Sequence, residues 1–400
     1  MDPSNLSKLA TLVFEKTGGQ DELIRRFPVK EMRAARPNSG YKLLVALMVE
    51  RAVSHVLSLN FDRAVENAAI QLGQALNVVT EHSGHVPMTP TLIYLHGSAD
   101  SPPRAWVLRE DTMTEGWKGQ WEEVIANQIL SAPRILFAGL GSAAPVLEAS
   151  VSTIQKAIGD SKQIFQADYG PLDSNFLAKQ LGVTAERYIQ GSWSEVLSKL
   201  SERLVSEQLE ALRVNGRSNL QENDFSDIDQ QRFLNHVDKL ATVSLLALGR
   251  MRAFAQLDGT HYRRHSELDD LQVAEPLTRL AQIAEELALQ VRPTAHGSWQ
   301  ILRDGRVVGN VMLASGGGVR RFAAIEPRVR QFCTQVADEV LPPDVILIGG
   351  IIAETDFSPP SDIVADTVVD SLIDGPSGPL IVSANAPDML AQVGELLNVA

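Results

Sequence analysis

A single cysteine, Cys333, occurs in 400 residues. That scarcity excludes an internal disulfide and a four-cysteine zinc centre. No apolar run approaches the ~20 residues that a helix needs to cross a bilayer. The N-terminus also lacks the basic-then-apolar pattern of a secretory leader. These absences together lead to the expectation of a cytoplasmic protein with no membrane association. Positive charge is in deficit, with 36 Lys and Arg against 49 Asp and Glu, a formal net charge of −13. Such a balance argues against a surface generally built for nucleic acid or anionic lipid, while leaving room for local basic patches. There is no internal repeat and no low-complexity tract. What is present is enough material for two or three domains with real cores.

The informative stretch is Val56-Leu57-Ser58-Leu59-Asn60-Phe61-Asp62-Arg63. A short apolar run ends in Asn-Phe-Asp, and helical spacing begins at once with Ala64, Val65, Ala68, Ala69 and Leu72. This reads as a buried strand delivering polar side chains at its C-terminal tip, the edge at which open α/β sheets bind ligands. Thr91 to Leu95 forms a second such strand, ending in His96-Gly97-Ser98. Arg134 to Ala138 forms a third, ending in Gly139-Leu140-Gly141-Ser142, with a helix expected over 145–158. Further strands are expected at 163–167 and 184–189, and a closing helix over 193–204. Strands alternating with helices imply a parallel sheet covered on both faces.

Each tip also has a plain structural reading. Asn60 and Asp62 are favoured helix caps, and capping is the commoner role for such a pair. A lone histidine at a strand end is more often structural than catalytic. A Gly-x-Gly turn is routine between a strand and a helix. The tryptophans 106 and 117 fit packing better than ligand stacking.

Taken in order, the Asn-aromatic-Asp tip, the His-Gly tip and the Gly-x-Gly-Ser tip resemble the sirtuin-like family of NAD-binding proteins, including its bacterial anti-phage defence branch. A closing Tyr188-Ile189-Gln190-Gly191-Ser192-Trp193 before an amphipathic helix adds to the likeness, which covers roughly residues 5–205. The resemblance implies a Rossmann-like α/β fold and NAD as substrate or ligand. It implies that Asn60 positions the nicotinamide ribose or the attacking water and that His96 acts as base. Asp62, Gly97, Gly139, Gly141 and Ser142 would support or contact the dinucleotide. A histidine titrates near neutrality and can take a proton from a ribose hydroxyl, which helps the sugar stabilise developing positive charge. The sequence departs from the family in two places. No strand with a Gly-Ala-Gly phosphate turn precedes Asn60, where residues 5–56 read as helical. Ala143-Ala144-Pro145 also stands where relatives often carry an Asp. No zinc is expected, because the region that holds paired cysteines in zinc-bearing sirtuins has none.

Residues 206–229 are polar and read as a linker. Residues 230–400 read as a second domain, helical and then α/β. It has helices over 233–257 and 268–291, a hairpin around Arg303-Asp304-Gly305-Arg306, and buried strands at 345–352 and 380–383. Gly316-Gly317-Gly318 there fits a loop better than a phosphate cradle, since no Lys-Ser/Thr follows. His261, His265 and His296 with Asp269 and Asp270 show no metal-ligand spacing.

Two function classes follow. The first is an NAD hydrolase cleaving the nicotinamide–ribose bond, acting in anti-phage defence. The second is a catalytically impaired sirtuin-like module that binds a partner protein or a nucleotide. Retention of Asn60, Asp62 and His96 favours the enzyme; the departures favour the module. Assembly as a homo-oligomer or with a partner protein is expected in either case.

Overall fold

A computed structural model describes residues 6–72, 74–80, 90–109, 111, 134–140, 163–255, 268–315, 343–349 and 379–397. The chain divides into two units, Met1–Leu200 and Ser201–Ala400.

The first unit opens with helices Leu6–Thr17, Asp21–Ile24, Val29–Arg33 and Ser39–Val49. Asn38 caps the last of these, its side chain accepting from the Tyr41 N–H. Strand β1 (His55–Ser58) then leads into helix Ala64–Gln71, and β2 (Asn77–Val79) and β3 (Thr91–Tyr94) follow. These strands form a parallel sheet in the order β1-β3-β2. Thr91 to Tyr94 are all buried. Being covered on both faces, β3 reads as continuous apolar sequence rather than as alternation. Burying Leu92 and Ile93 stabilises the unit by about 1.5–3 kcal/mol each.

A second parallel sheet has the order β4-β5-β6, from β4 (Arg134–Ala138), β5 (Gln163–Asp168) and β6 (Tyr188–Gln190). Helix Phe176–Gln180 lies between β5 and β6, capped by Asn175. The α/β class with parallel sheets flanked by helices is therefore observed. The last strand is shorter than the 184–189 expected, because Ala185–Arg187 forms a single 3-10 turn.

Helix Trp193–Glu222 runs well past the expected end at 204 and through most of the stretch read as a linker. Two features explain this. Ser192 and Glu195 form a capping box, with the Ser192 N–H donating to Glu195 (2.8 Å) and the Glu195 N–H to Ser192 Oγ (3.1 Å). Further along, Val205, Leu209, Leu212 and Leu220 are buried, a helical stripe inside a polar sequence. Gly216 belongs to that stripe rather than to a turn. A Cβ there would come within 2.5 Å of Phe233 Cζ, so glycine permits close approach of the neighbouring helix.

In the second unit, helices Asp227–Lys239, Leu245–Ala255 and Leu268–Glu286 precede a five-stranded sheet ordered β11-β10-β9-β8-β7. Its strands are β7 (Gln290–Pro293), β8 (Trp299–Arg303), β9 (Arg306–Ser315), β10 (Val345–Gly349) and β11 (Leu380–Ser383). Strands β7 to β9 pair antiparallel, while β9, β10 and β11 pair parallel, so the sheet is mixed. The β8–β9 turn, Asp304-Gly305, has φ of 50° and 76°, the two positive angles of a type I′ hairpin. Helix Met389–Leu396 follows β11. Leu277, Leu280 and Ile283 of helix Leu268–Glu286 are buried, as are Trp299, Ile301, Val311, Ile346 and Leu347 of the sheet. The expected helix over 233–257 is two helices, broken by a 3-10 turn at Leu240–Thr242.

Candidate functional site

The parallel pairing of β1 with β3 sets Ser58 opposite Tyr94, so Asn60 and His96 each lie two residues beyond a matched pair. The tips remain zipped after the strands end. The Leu95 N–H donates to the Ser58 carbonyl (3.0 Å) and the Ala99 N–H to the Phe61 carbonyl (2.7 Å). Charge then locks the two loops to their neighbours. Asp100 pairs with both Arg33 (2.9 Å) and Arg63 (3.0 Å), and Arg63 also pairs with Glu66 (3.0 Å). Adjacent strand tips are thus held in a fixed register, which is the precondition for a shared site.

Their side chains diverge. Asn60 is exposed, and its side chain lies close enough to the Tyr41 hydroxyl to lower that group's pKa. Burial raises the pKa of that hydroxyl, and the negative charge of Asp62 raises it further. Asp62 Oδ1 accepts from the Ala64 N–H at 2.9 Å, a turn just ahead of helix Ala64–Gln71, whose N-cap position is held by Arg63 with no side-chain bond. The Tyr94 hydroxyl lies against the Asp62 carbonyl (3.0 Å) and Glu66 Oε1 (3.1 Å), and burial followed by Glu66 holds its pKa above the ordinary value. Asp62 thus sits one residue ahead of the N-cap position and places a negative charge near Tyr41.

His96 turns into the protein. It is 7% exposed, and its ring lies 6.4 Å from that of Phe61. Phe61 in turn stacks on Trp106 at 4.5 Å, and Trp106 packs edge-on to Phe27. Trp106 is a core residue, as its sequence context suggested. Burial pushes the His96 pKa down to about 4, which keeps the imidazole neutral, and its Nε2 is buried without a hydrogen-bond partner. Gly97 has φ +86°, and a Cβ on it would lie 2.8 Å from the Ala105 carbonyl oxygen. Glycine is required there by the protein's own packing.

Gly139 follows β4 with φ +69°, its N–H donates to the Ala167 carbonyl (3.2 Å), and among the described residues no atom lies within 4 Å of where a Cβ would sit. Beneath this turn the fully buried Gln166 donates to the Leu140 carbonyl (3.4 Å) and to Asn175 Oδ1 (2.8 Å). Gly141 and Ser142 lie outside the described residues, as do the helix expected over 145–158, Ala143-Ala144, Trp117 and the Gly316–Gly318 run. His261 and His265 lie outside them too.

One residue that the sequence did not single out joins the two sheets' ends. The Tyr41 hydroxyl feels Asn60 beyond the tip of β1, and its ring packs edge-on at 4.9 Å against Trp193, three residues after β6. Gly40 makes the approach possible, since a Cβ there would meet Ser194 at 2.9 Å and Trp193 at 3.1 Å. The available signal was an aromatic and a glycine just after an Asn cap, in the polar first turn of an otherwise apolar helix.

Residues 54–186 match the family model of the SIR2-like domain. The chain carries a sirtuin-like domain. The match spans the tips that hold Asn60, Asp62, His96, Gly97 and Gly139, and SIR2-like domains are NAD-related. Comparison with curated proteins gives no match. Among the described residues no group of three or more His, Cys, Asp or Glu side chains is placed to hold a metal ion. No helix there is long and apolar enough to cross a membrane.

The residues of the sirtuin-like domain fit a dinucleotide in two respects. The exposed Asn60 stands at the carboxyl edge of a parallel sheet. The turn at Gly139 has a positive φ and, among the described residues, no atom where a side chain would otherwise project. The buried His96 Nε2 next to that edge has no hydrogen-bond partner among the described residues.

Proposed function

We propose that the chain hydrolyses NAD at the nicotinamide–ribose bond, releasing nicotinamide and an ADP-ribose product. The supporting observation is the parallel register that sets Asn60 and His96 at matching places on neighbouring strand tips of a sirtuin-like domain. Asn60, steadied by Tyr41, places the water or the ribose hydroxyls. A new bond forms between the water oxygen and the ribose anomeric carbon, the bond to the nicotinamide nitrogen breaks with its electron pair leaving on neutral nicotinamide, and the water's proton is released to solvent. His96, kept neutral by burial, accepts a ribose hydroxyl proton through Nε2. Gly139, Gly141 and Ser142 give the phosphates and ribose a close backbone approach, and Asp62 and Gly97 fix the two tips. Positioning and stabilisation of charge on the ribose carry the rate. Following the resemblance, the activity serves defence against phage through NAD depletion, in a cytoplasmic protein that assembles with itself or a partner.

A second reading has its own support. A histidine with a pKa near 4 is a weak base at neutral pH, and 7% exposure leaves little access to it. On that reading the domain binds a nucleotide or a partner without hydrolysing NAD.

The test is nicotinamide release from NAD by the purified chain, alongside Asn60→Ala and His96→Ala, with calorimetric titration of NAD. Release that is lost in both variants supports the hydrolase. NAD binding without release supports the impaired module. Neither release nor binding overturns the hydrolase and leaves a module that binds a partner.

A further inference from the structure

Helix Asp227–Lys239 ends in a pair of basic side chains that the NAD chemistry does not use. His236 is 6% exposed and stands three residues before Lys239. Its Nδ1 lies 3.2 Å from the Arg232 carbonyl, which can only accept, so the ring proton sits on Nδ1. Nε2 is then the acceptor of a neutral imidazole, and the Lys239 Nζ donates to it at 3.2 Å. Burial first, and the Lys239 charge second, lower the His236 pKa to about 4 and keep the ring neutral. The fully buried Trp299, its ring 6.1 Å away, backs the imidazole.

The carboxylates of this helix and its neighbour are already taken. Asp238 pairs with Arg213 at 2.9 Å. Asp229 and Glu285 pair with Arg232 at 3.1 and 2.6 Å, and Glu286 lies 3.6 Å from it. Among the described residues Lys239 has no carboxylate within ion-pair distance, and its one hydrogen bond goes to His236. A helix C-terminus favours a cation by about 0.3–1 kcal/mol. Burial of the amine outweighs that, and the Lys239 pKa is lowered from its ordinary value. The residue as a whole remains exposed. The amine is thus fixed on one side by an imidazole, open on the other, and without an anion to hold its proton.

We propose that Lys239 is an acylation site, its amine attacking the carbonyl carbon of a small acyl phosphate or thioester. Nζ forms the new bond to that carbon. The carbon–oxygen bond to phosphate, or the carbon–sulfur bond, breaks with its electron pair on the leaving group, and an amine proton passes to solvent. Desolvation activates a lysine nucleophile in this way. His236 is a positioning residue, which accepts one N–H and leaves the lone pair of Nζ free. An aldehyde is the poorer partner, because expelling water from its adduct calls for an acid and a neutral imidazole has no acidic proton to give. Acylation also removes the charge that helps hold the His236 pKa down, so the imidazole titrates higher in the modified chain. The inference stands independently of the NAD reading, because every residue it uses lies in the second unit.

The test treats the full chain at neutral pH with limiting acetyl phosphate, or with an acetyl thioester, and follows each lysine by peptide mass spectrometry. The exposed Lys16 and Lys179 serve as references. Lys239 should be acylated about fivefold or more faster than either, since each unit of lowered pKa gives about tenfold more free amine. The donor that gives this advantage identifies the source of the acyl group. His236→Phe keeps a ring beside Trp299 and removes the acceptor, and the advantage should fall to about twofold or less. Lys239→Gln alters an exposed residue and stands in for the acylated side chain. By NMR, His236 should titrate at a higher pH in that variant than in the unmodified chain, a readout that remains if His236→Phe fails to fold. The proposal is overturned if Lys239 reacts no faster than the reference lysines with both donors. It is also overturned if folded His236→Phe keeps the full advantage, or if the His236 titration is unmoved in Lys239→Gln.

Discussion

Acidification should destabilise the first unit through His96. The imidazole has an ordinary pKa of 6.5, and burial lowers it to about 4 in the folded protein. Between those values the unfolded chain holds the proton and the folded chain does not, so stability rises with pH across this window and is lost as pH falls. At pH 5 the unfolded state binds about 0.9 more proton at this site, and stability there is about 2 kcal/mol lower than at pH 7. Carboxylates and the second buried histidine, His236, also titrate in the window, so the single-protein slope does not isolate His96. The His236 pKa is likewise about 4, lowered by burial and then by Lys239. His96→Leu keeps an apolar side chain beside Phe61 and removes the proton site. The assay is urea unfolding followed by circular dichroism and tryptophan fluorescence, at pH 7 and pH 5, for the unmodified chain and for His96→Leu. The pH-dependent loss should be smaller in the variant by about 2 kcal/mol. A difference under about 0.5 kcal/mol would mean that His96 is hydrated or paired in solution, and the argument for a neutral buried base would fail.

Three other changes have clear expected outcomes. Gly97→Ala puts a Cβ 2.8 Å from the Ala105 carbonyl at φ +86°, and should cost at least about 2 kcal/mol, read as a lowered Tm. Ser192→Ala removes the reciprocal cap with Glu195 and should cost about 1 kcal/mol in the same melt. Tyr41→Phe keeps the ring on Trp193 but loses the hydroxyl beside Asn60. It should leave Tm nearly unchanged and weaken NAD binding by calorimetry about fivefold, the worth of one net hydrogen bond. An unaltered affinity would remove Tyr41 from the site.

The sequence by itself determined the elements whose causes are local. The helices over 6–49, the strands β1 and β3 with their polar tips, and the Asp304-Gly305 hairpin follow from apolar spacing, caps and turn chemistry within a few residues. The sirtuin-like assignment was legible for the same reason, since its motifs are strand tips in a fixed order. Tertiary structure alone decided what each tip faces. His96 and Asn60 occupy equivalent places on paired strands, yet one is buried against Phe61 and the other meets Tyr41 from a helix that precedes both. Nothing within either motif encodes that difference. Gly216 lies in the polar stretch read as a linker, yet Phe233 occupies the space a side chain there would need. Asp238 and Glu285 are claimed by Arg213 and Arg232, pairings between separate helices that leave Lys239 to His236. Local pattern fixes which face of an element is apolar, whereas burial, pKa and the pairing of charges depend on neighbours that only the folded chain supplies.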